Sequence, residues 1–347
     1  MNQFSAIRSP AVSVLMACYN GSRWLHQAIN SILMQTFEDF ECILVDDGST
    51  DISWKIIQSY RDQDQRIVAI SKENTGLASS LNVGISQARG RWIARLDADD
   101  LCEPTRLAEQ MRFVHNRPEL VLLGTGCLTI DEQGRDIRPY NYPTEHCSLV
   151  RNLECARAFF PHSSAFYRTD IVRQIGGYNM RMYRAQDFQL WLQLSRRGEI
   201  ACLPNILVRL RQHACQVSLE NNGKIQSFYR MVALVCHFSQ DFGCKGPLDT
   251  GVNEWAGFLS WLEKRMEKAG VFERHKVWTE ARTAYFATEN SLFGALRCGS
   301  HLLRSGHISR LMWDKMFGSL LPKCLARAWM KKSLQNGDRP ADPSCGE

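Results

Sequence analysis

Leu96-Asp97-Ala98-Asp99-Asp100 sets three carboxylates within four positions, directly after an apolar strand-like run. Negative charge packed this closely is unfavourable unless a cation neutralises it. All-oxygen ligands favour Mg²⁺ or Mn²⁺ over zinc. Taken alone, the same acids also suit the N-terminus of the helix expected after Pro104. A second acidic turn, Asp46-Asp47-Gly48-Ser49, follows another apolar run. A carboxylate there can accept the imide N–H of a uracil or thymine ring, with Tyr19 placed to stack on the base. An ordinary Asp-Gly-Ser turn is the competing reading.

These residues matter together only if the fold brings them to one edge. Short apolar β-branched runs alternate with helix-period segments through the first hundred residues, the pattern of βαβ units and a parallel sheet. Strands are expected over Val12–Met16, Cys42–Val45, Ile67–Ile70 and Trp92–Leu96. Helices are expected through Leu25, Ile29 and Ile32, through Ile56, Ile57 and Tyr60 after Asp46–Thr50 as turn and N-cap, and through Leu77, Leu81, Ile85 and Ala88, the last closed by Gly90. In such a sheet ligands gather beyond the carboxyl ends of the strands, where Tyr19, Asp46, Asp47 and the 97–100 acids all fall. Further on, Leu107, Met111 and Val114 continue a helix, Leu120–Thr125 reads as a strand, and Gly124-Thr125-Gly126 reads as a turn at its end. Leu128–Arg138 looks like a hairpin turning at Glu132-Gln133-Gly134. Asp187 opens a helix that carries Phe188, Trp191 and Leu194, and beyond about Asn221 the strand signal gives way to helix.

With 44% hydrophobic and 22% charged residues, the 347-residue chain has ordinary globular usage, which excludes a disordered or fibrous chain. Its thirteen cysteines are scattered and odd in number, with no C-x-x-C pair, and read as small buried hydrophobes in a reducing compartment. No signal peptide or membrane-spanning run is evident, so a cytosolic location is expected. The formal charge of +6 is modest, and no nucleic-acid partner is expected. It is unevenly placed: Arg297, Arg304, Arg310, Lys315, Lys323, Arg327, Lys331 and Lys332 face only Asp314 within residues 297–332. Apolar residues recur among them, including Leu303, Trp313, Met316 and Leu320. The pattern suggests an amphipathic segment lying on an anionic membrane surface, or else packed on the rest of the protein.

Several segments together resemble family 2 of the inverting glycosyltransferases. They are Val12–Gly21 (VSVLMACYNG), Ser31–Phe37 (SILMQTF), Val45–Asp51 (VDDGSTD), Glu73–Leu77 (ENTGL) with Leu81-Asn82, and Ala94–Asp100 (ARLDADD), in that order. The resemblance covers about residues 10–220. It implies an α/β GT-A (nucleotide-diphospho-sugar transferase) fold, with a mostly parallel central sheet flanked by helices. Residues 10–220 form the catalytic domain, 221–335 a mainly helical C-terminal region and 336–347 a polar tail.

The resemblance also implies roles. Ala17, Tyr19 and Asp47 hold the base and ribose of a nucleotide-diphospho-sugar donor, with Asn20, Asp46, Asn74, Gly76 and Asn82 also on the donor side. Asp97 and Asp99 form the D-x-D motif that binds Mg²⁺ or Mn²⁺, Asp99 directly. Asp187 is the catalytic base. Arg211 and His213, with Gln216 and Ser218, close over the diphosphate, and His162-Ser163 lies toward a saccharide or lipid-linked acceptor. Two departures stand out: Ala17 replaces a frequent proline, and Gln186 replaces the acid that usually precedes the base. A sugar-nucleotide pyrophosphorylase would need a glycine-rich basic loop where Ala17–Gly21 stands. A non-catalytic binding protein would be expected to have lost the acids, which are retained.

Overall fold

The computed structural model describes residues 9–213, 216, 224–242, 246–268 and 320–335. The chain divides into two compact units. The first comprises Met1–Leu153, Ala158–Met180 and Gln193–His213, the second Glu154–Arg157, Arg181–Leu192 and Ala214–Glu347.

The first unit is built on one mixed sheet. Its strands are β1 (Val12–Cys18), β2 (Phe40–Asp46), β3 (Ile67–Ser71), β4 (Trp92–Arg95), β5 (Leu101–Cys102), β6 (Leu120–Ile130), β7 (Asp136–Tyr140), β8 (Phe166–Arg168) and β9 (Glu199–Arg211). They lie in the order β3-β2-β1-β4-β8-β6-β9-β5, with β7 paired to β6. Between them run α1 (Ser22–Leu33), α2 (Ser53–Gln63), α3 (Leu77–Gln87), α4 (Arg106–Val114), α5 (His146–Glu154) and α6 (Thr169–Gln174).

Every residue of β1 and β2 is buried, as strands covered on both faces require. The expected parallel arrangement holds for β3-β2-β1-β4. Beyond β4 the sheet is mixed, because the three-residue β8 inserts antiparallel between β4 and β6. So short a strand carries no periodicity for a sequence reading to detect. Parallel register puts Cys18 beside Asp46 and Asp46 beside Ser71, while Leu15 pairs with Arg95. The chain therefore leaves β1, β2, β3 and β4 at one edge, just before Tyr19, Asp47, Lys72 and Asp97.

The helices cover the sheet with regular stripes. In α1 the buried residues are Leu25, Ala28, Ile29 and Ile32. α3 lies so close to β1 that a Cβ on Gly84 would stand 2.1 Å from Leu15 Cδ1.

Three local expectations are corrected. The segment 124–126 is no strand-end turn, since β6 runs unbroken through it. A Cβ on Gly124 would meet Phe160 at 2.1 Å, and the register with β9 shifts on both sides of Gly126. The second helix begins at Ser53, later than the acidic turn suggests, with Asp51 Oδ1 accepting the Ser53 N–H at 2.8 Å. Gly90 does not close α3, which ends at Gln87; its N–H instead bonds Ser13 Oγ at 2.9 Å, leading into β4.

In the second unit the described structure is helical. The unit includes residues 186–192 of α7 (Gln186–Leu194), followed by α8 (Lys224–Gln240), α9 (Val252–Lys268) and α10 (Leu320–Gln335). Phe258, Leu262 and Met266 form the buried stripe of α9. The Trp329 ring of α10 meets Phe258 at 4.9 Å and Trp261 at 5.2 Å. No described helix is long and apolar enough to cross a membrane. Of the basic 297–332 segment, residues 297–319 lie outside the described residues, and the remainder is in α10.

Candidate active site

The loops after β1, β2 and β3 are tied to one another at the sheet edge. Asn20, in the left-handed region at φ 52, accepts the Thr50 N–H at 2.8 Å and the Asp51 N–H at 3.3 Å on Oδ1. Its own N–H bonds Ser49 Oγ at 2.9 Å. Asn20 thus joins the two loops that flank the expected base site. Ala17 is buried at the end of β1, and Tyr19 stands 53% exposed beyond it.

Asp47 is enclosed by the loop after β3. Its Oδ1 takes an ion pair from Lys72 and the Thr75 N–H at 3.1 Å, and its Oδ2 takes the Gly76 N–H at 2.9 Å. Burial pushes this carboxyl up, but Lys72, the Thr75 N–H and Ser80 outweigh it and hold the group below the ordinary range. Gly76 manages the approach at φ 92, and Asn74 is exposed at the loop tip. Neighbouring Asp46 is 2% exposed and accepts the Ser49 N–H at 3.2 Å on Oδ2, while its Oδ1 is buried without a partner among the described residues. Lys72 escaped the sequence reading; the available signal was a cation directly following the third strand.

Past β4 each of the three clustered acids has its own partners. Asp97 is paired on Oδ1 with Arg95, whose side chain is fully buried, and on Oδ2 it accepts the Ser163 hydroxyl at 2.9 Å. Burial raises the Asp97 pKa, but Arg95, His162 and Ser163 reverse this and leave it lowered. Asp99 is raised by burial and by the charge of Asp97, against the opposing His213. Asp100 is raised well above its ordinary value by burial and by Asp99 and Asp97. Ser163 Oγ also lies 2.5 Å from Asp100 Oδ2, and one hydroxyl proton cannot serve two carboxylates.

His213 Nε2 bonds Asp99 Oδ2 at 2.8 Å, and its ring lies 4.5 Å from that of Trp24. The Trp24 Nε1–H reaches Glu132 O at 3.3 Å. Arg211, expected on the diphosphate, is 1% exposed and turned inward. It donates to the carbonyls of Asp99, Asp131 and Glu132 at 3.0–3.2 Å and to Gln27 Oε1 at 2.8 Å. Its backbone N–H bonds Asp100 Oδ1 at 2.8 Å. The geometry makes Arg211 a strut between the acid loop and the β6–β7 hairpin, a role visible only once distant loops are brought together. Of its expected companions, Gln216 is described and Ser218 lies outside the described residues.

Asp97 and Asp99 remain about one-third exposed, at 34% and 32%. No three His, Cys, Asp or Glu among the described residues form a metal-holding group on their own. Two carboxylates fit a hard cation that keeps waters and takes its other ligands from phosphate, the usual way Mg²⁺ is held.

On the opposite flank of the acids, His162 Nε2 shares a 2.6 Å hydrogen bond with the Tyr178 hydroxyl. Asn82, expected at the donor, uses both ends of its amide on Tyr178: Nδ2 donates to the carbonyl and Oδ1 accepts the N–H, each at 2.8 Å.

Asp187 belongs to the second unit. It sits in the first turn of α7, after Ala185, a buried non-glycine residue held at φ 54. Such a conformation carries strain of order 1 kcal/mol, and here it turns the chain into the helix. Asp187 Oδ1 accepts the Phe188 N–H at 2.7 Å. Arg230 of α8 has its guanidinium 5.7 Å from the Phe188 ring. Burial lowers the Arg230 pKa, and the charge of Asp187 works against that lowering.

Comparison with known proteins bears on the family and the fold. The model for the family described as Glycosyl transferase family 2 matches residues 13–184. The putative glycosyltransferase EpsE of Bacillus subtilis is 37% identical over 194 residues, covering 54% of this chain and 68% of EpsE. The amylovoran biosynthesis glycosyltransferase AmsE of Erwinia amylovora is 30% identical over 203 residues, covering 57% and 75%. Among solved structures, S. aureus TarS 1–349 in complex with UDP-GlcNAc has a TM-score of 0.55 at 16% identity, covering 97% of this chain and 95% of that one. The mannosyltransferase PcManGT of Pyrobaculum calidifontis, in complex with GDP-Man and Mn²⁺, has a TM-score of 0.52 at 16% identity, covering 94% and 89%. At such identity these structures speak for the fold alone, which is GT-A. With the family model and these relatives in agreement, the chain belongs to glycosyl transferase family 2.

Proposed function

We propose that this protein transfers a sugar, with inversion, from a UDP- or dTDP-sugar to an acceptor hydroxyl. The observation that carries this reading is the convergence, at one sheet edge, of the enclosed Asp47 loop and the partly exposed Asp97–Asp99 pair. Tyr19 stacks on the base, and Asp47 with Lys72 reads its polar edge. Asp97 and Asp99 would hold Mg²⁺ or Mn²⁺, as the Mn²⁺ in the PcManGT complex encourages. Such a cation supplies neutralisation of the charge that grows on the departing diphosphate. His213 steadies Asp99, and Arg211 keeps the acid loop and the hairpin in register. Asp187 takes the proton of the acceptor hydroxyl as the new C–O bond forms. His162 and Ser163 lie on the acceptor side.

The pathway proposed is surface polysaccharide or lipopolysaccharide assembly, supported by the printed role of AmsE in amylovoran biosynthesis. The acceptor is then a saccharide or lipid-linked saccharide at the inner face of the cytoplasmic membrane, with the basic 297–332 segment resting on anionic lipid. Incubating the purified protein with a panel of nucleotide sugars and following nucleoside diphosphate release tests the donor assignment. Release confined to UDP- or dTDP-sugars is expected, and release from none of the panel overturns the enzymatic reading.

A further inference from the structure

Tyr178 is missing from the sequence-derived set, yet it is anchored more firmly than most residues at the site. It is 1% exposed and follows two glycines in the left-handed region, Gly176 at φ 83 and Gly177 at φ 71. A Cβ on Gly177 would stand 2.4 Å from Asn82 Oδ1. Glycine there lets the Asn82 amide reach the backbone, where it grips the Tyr178 N–H and carbonyl together. The amide thus fixes the main chain of Tyr178 from α3, 96 residues away in sequence.

The ring so placed ends in a buried polar chain. The Tyr178 hydroxyl lies 2.6 Å from His162 Nε2 and 3.2 Å from the hydroxyl of Tyr167, itself fully buried. The His162 and Tyr178 ring centroids are 5.5 Å apart at 65°, an edge-on contact that restricts the imidazole. An imidazole bonded through one nitrogen to a fixed partner has its orientation set by that partner. His162 leads directly into Ser163, which bonds Asp97.

We propose that Tyr178 is a positioning residue: clamped by Asn82, it holds His162 in the one orientation that meets the acceptor. This rests on the reading of His162 as an acceptor-side residue, and it moves Asn82 from donor contact to the support of His162. Buried hydrogen-bonded networks of this kind behave as units, so removing any one member forfeits what the others supply.

The test is a double-mutant cycle on the full-length protein, with nucleotide affinity measured by titration calorimetry and acceptor kinetics by product formation. Tyr178→Phe keeps the ring and removes only the hydroxyl. It is expected to lower kcat/KM for the acceptor about tenfold while leaving UDP affinity within about twofold. Tyr178→Phe/His162→Ala is expected to be no worse than His162→Ala, whereas a merely structural role for the hydroxyl would make the losses add. Asn82→Ala is expected to reproduce the acceptor defect with UDP affinity intact; weaker UDP binding returns Asn82 to the donor side and overturns the clamp. If His162→Ala leaves acceptor kinetics unchanged, the acceptor reading of His162 fails. If His162→Ala is impaired but Tyr178→Phe is silent or its loss is additive, the positioning role alone fails.

Discussion

His213 stands between two fixed partners, with Nε2 2.8 Å from Asp99 Oδ2 and its ring 4.5 Å from that of Trp24. Its Nδ1 is buried, with no hydrogen-bond partner among the described residues. An aromatic contact of this kind contributes about 0.5–1.5 kcal/mol. Trp24→Leu should therefore loosen the imidazole and weaken Mn²⁺-dependent UDP binding by about three- to tenfold. His213→Ala should weaken it at least as much. Calorimetric titration of UDP with and without Mn²⁺ checks both; unchanged affinity in both variants would detach the histidine from the donor.

Metal dependence is expected of Asp97 and Asp99, each about one-third exposed. A chelator should abolish transfer, and added Mn²⁺ or Mg²⁺ should restore it. Full turnover in excess chelator would remove the cation from the proposed function.

Asp187→Asn should leave the fold and donor affinity intact and lower kcat by about 10²- to 10⁴-fold, the usual cost of losing a general base. Asn keeps the size of the side chain but takes no proton near neutral pH. Asp99→Asn should differ in kind, by weakening metal-dependent donor binding as well as turnover. Retention of most turnover by Asp187→Asn places the base elsewhere, with Gln186 then marking a rearranged acceptor side.

The Lys72–Asp47 pair gives a pH signature. Asp47 sits below its ordinary value of 3.8 in the folded protein. A depressed carboxyl contributes stability that is fully present above the unfolded value and is lost as pH falls through the folded one. Denaturant unfolding should therefore show wild type losing stability below about pH 4 more steeply than Asp47→Asn, with parallel behaviour between about pH 5 and 8. Equal slopes below pH 4 would show that the pair contributes nothing to acid sensitivity. The same variant should bind UDP more weakly at pH 7, because Asn loses the charge that holds Lys72.

Local chemistry carried by neighbouring residues was legible in the amino-acid sequence. Uninterrupted apolar runs identified β1 and β2, helical stripes such as Leu25, Ile29 and Ile32 identified α1, and the expected parallel order brought the acids at the strand ends to one edge. These features come from backbone periodicity and turn preference, which act over a few residues. Tertiary structure alone decided which partner each functional group meets. Lys72 reaches Asp47 across 25 residues, Ser163 reaches Asp97 across 66 and His213 reaches Asp99 across 114. Asn82 and Arg211, which the sequence places beside the donor, are drawn instead onto Tyr178 and the hairpin carbonyls. Buried backbone N–H and C=O groups must be paired, and a side chain with several fixed donors or acceptors is taken up wherever folding leaves such groups without partners. That demand is set by the packing of distant segments, and no spacing along the chain records it.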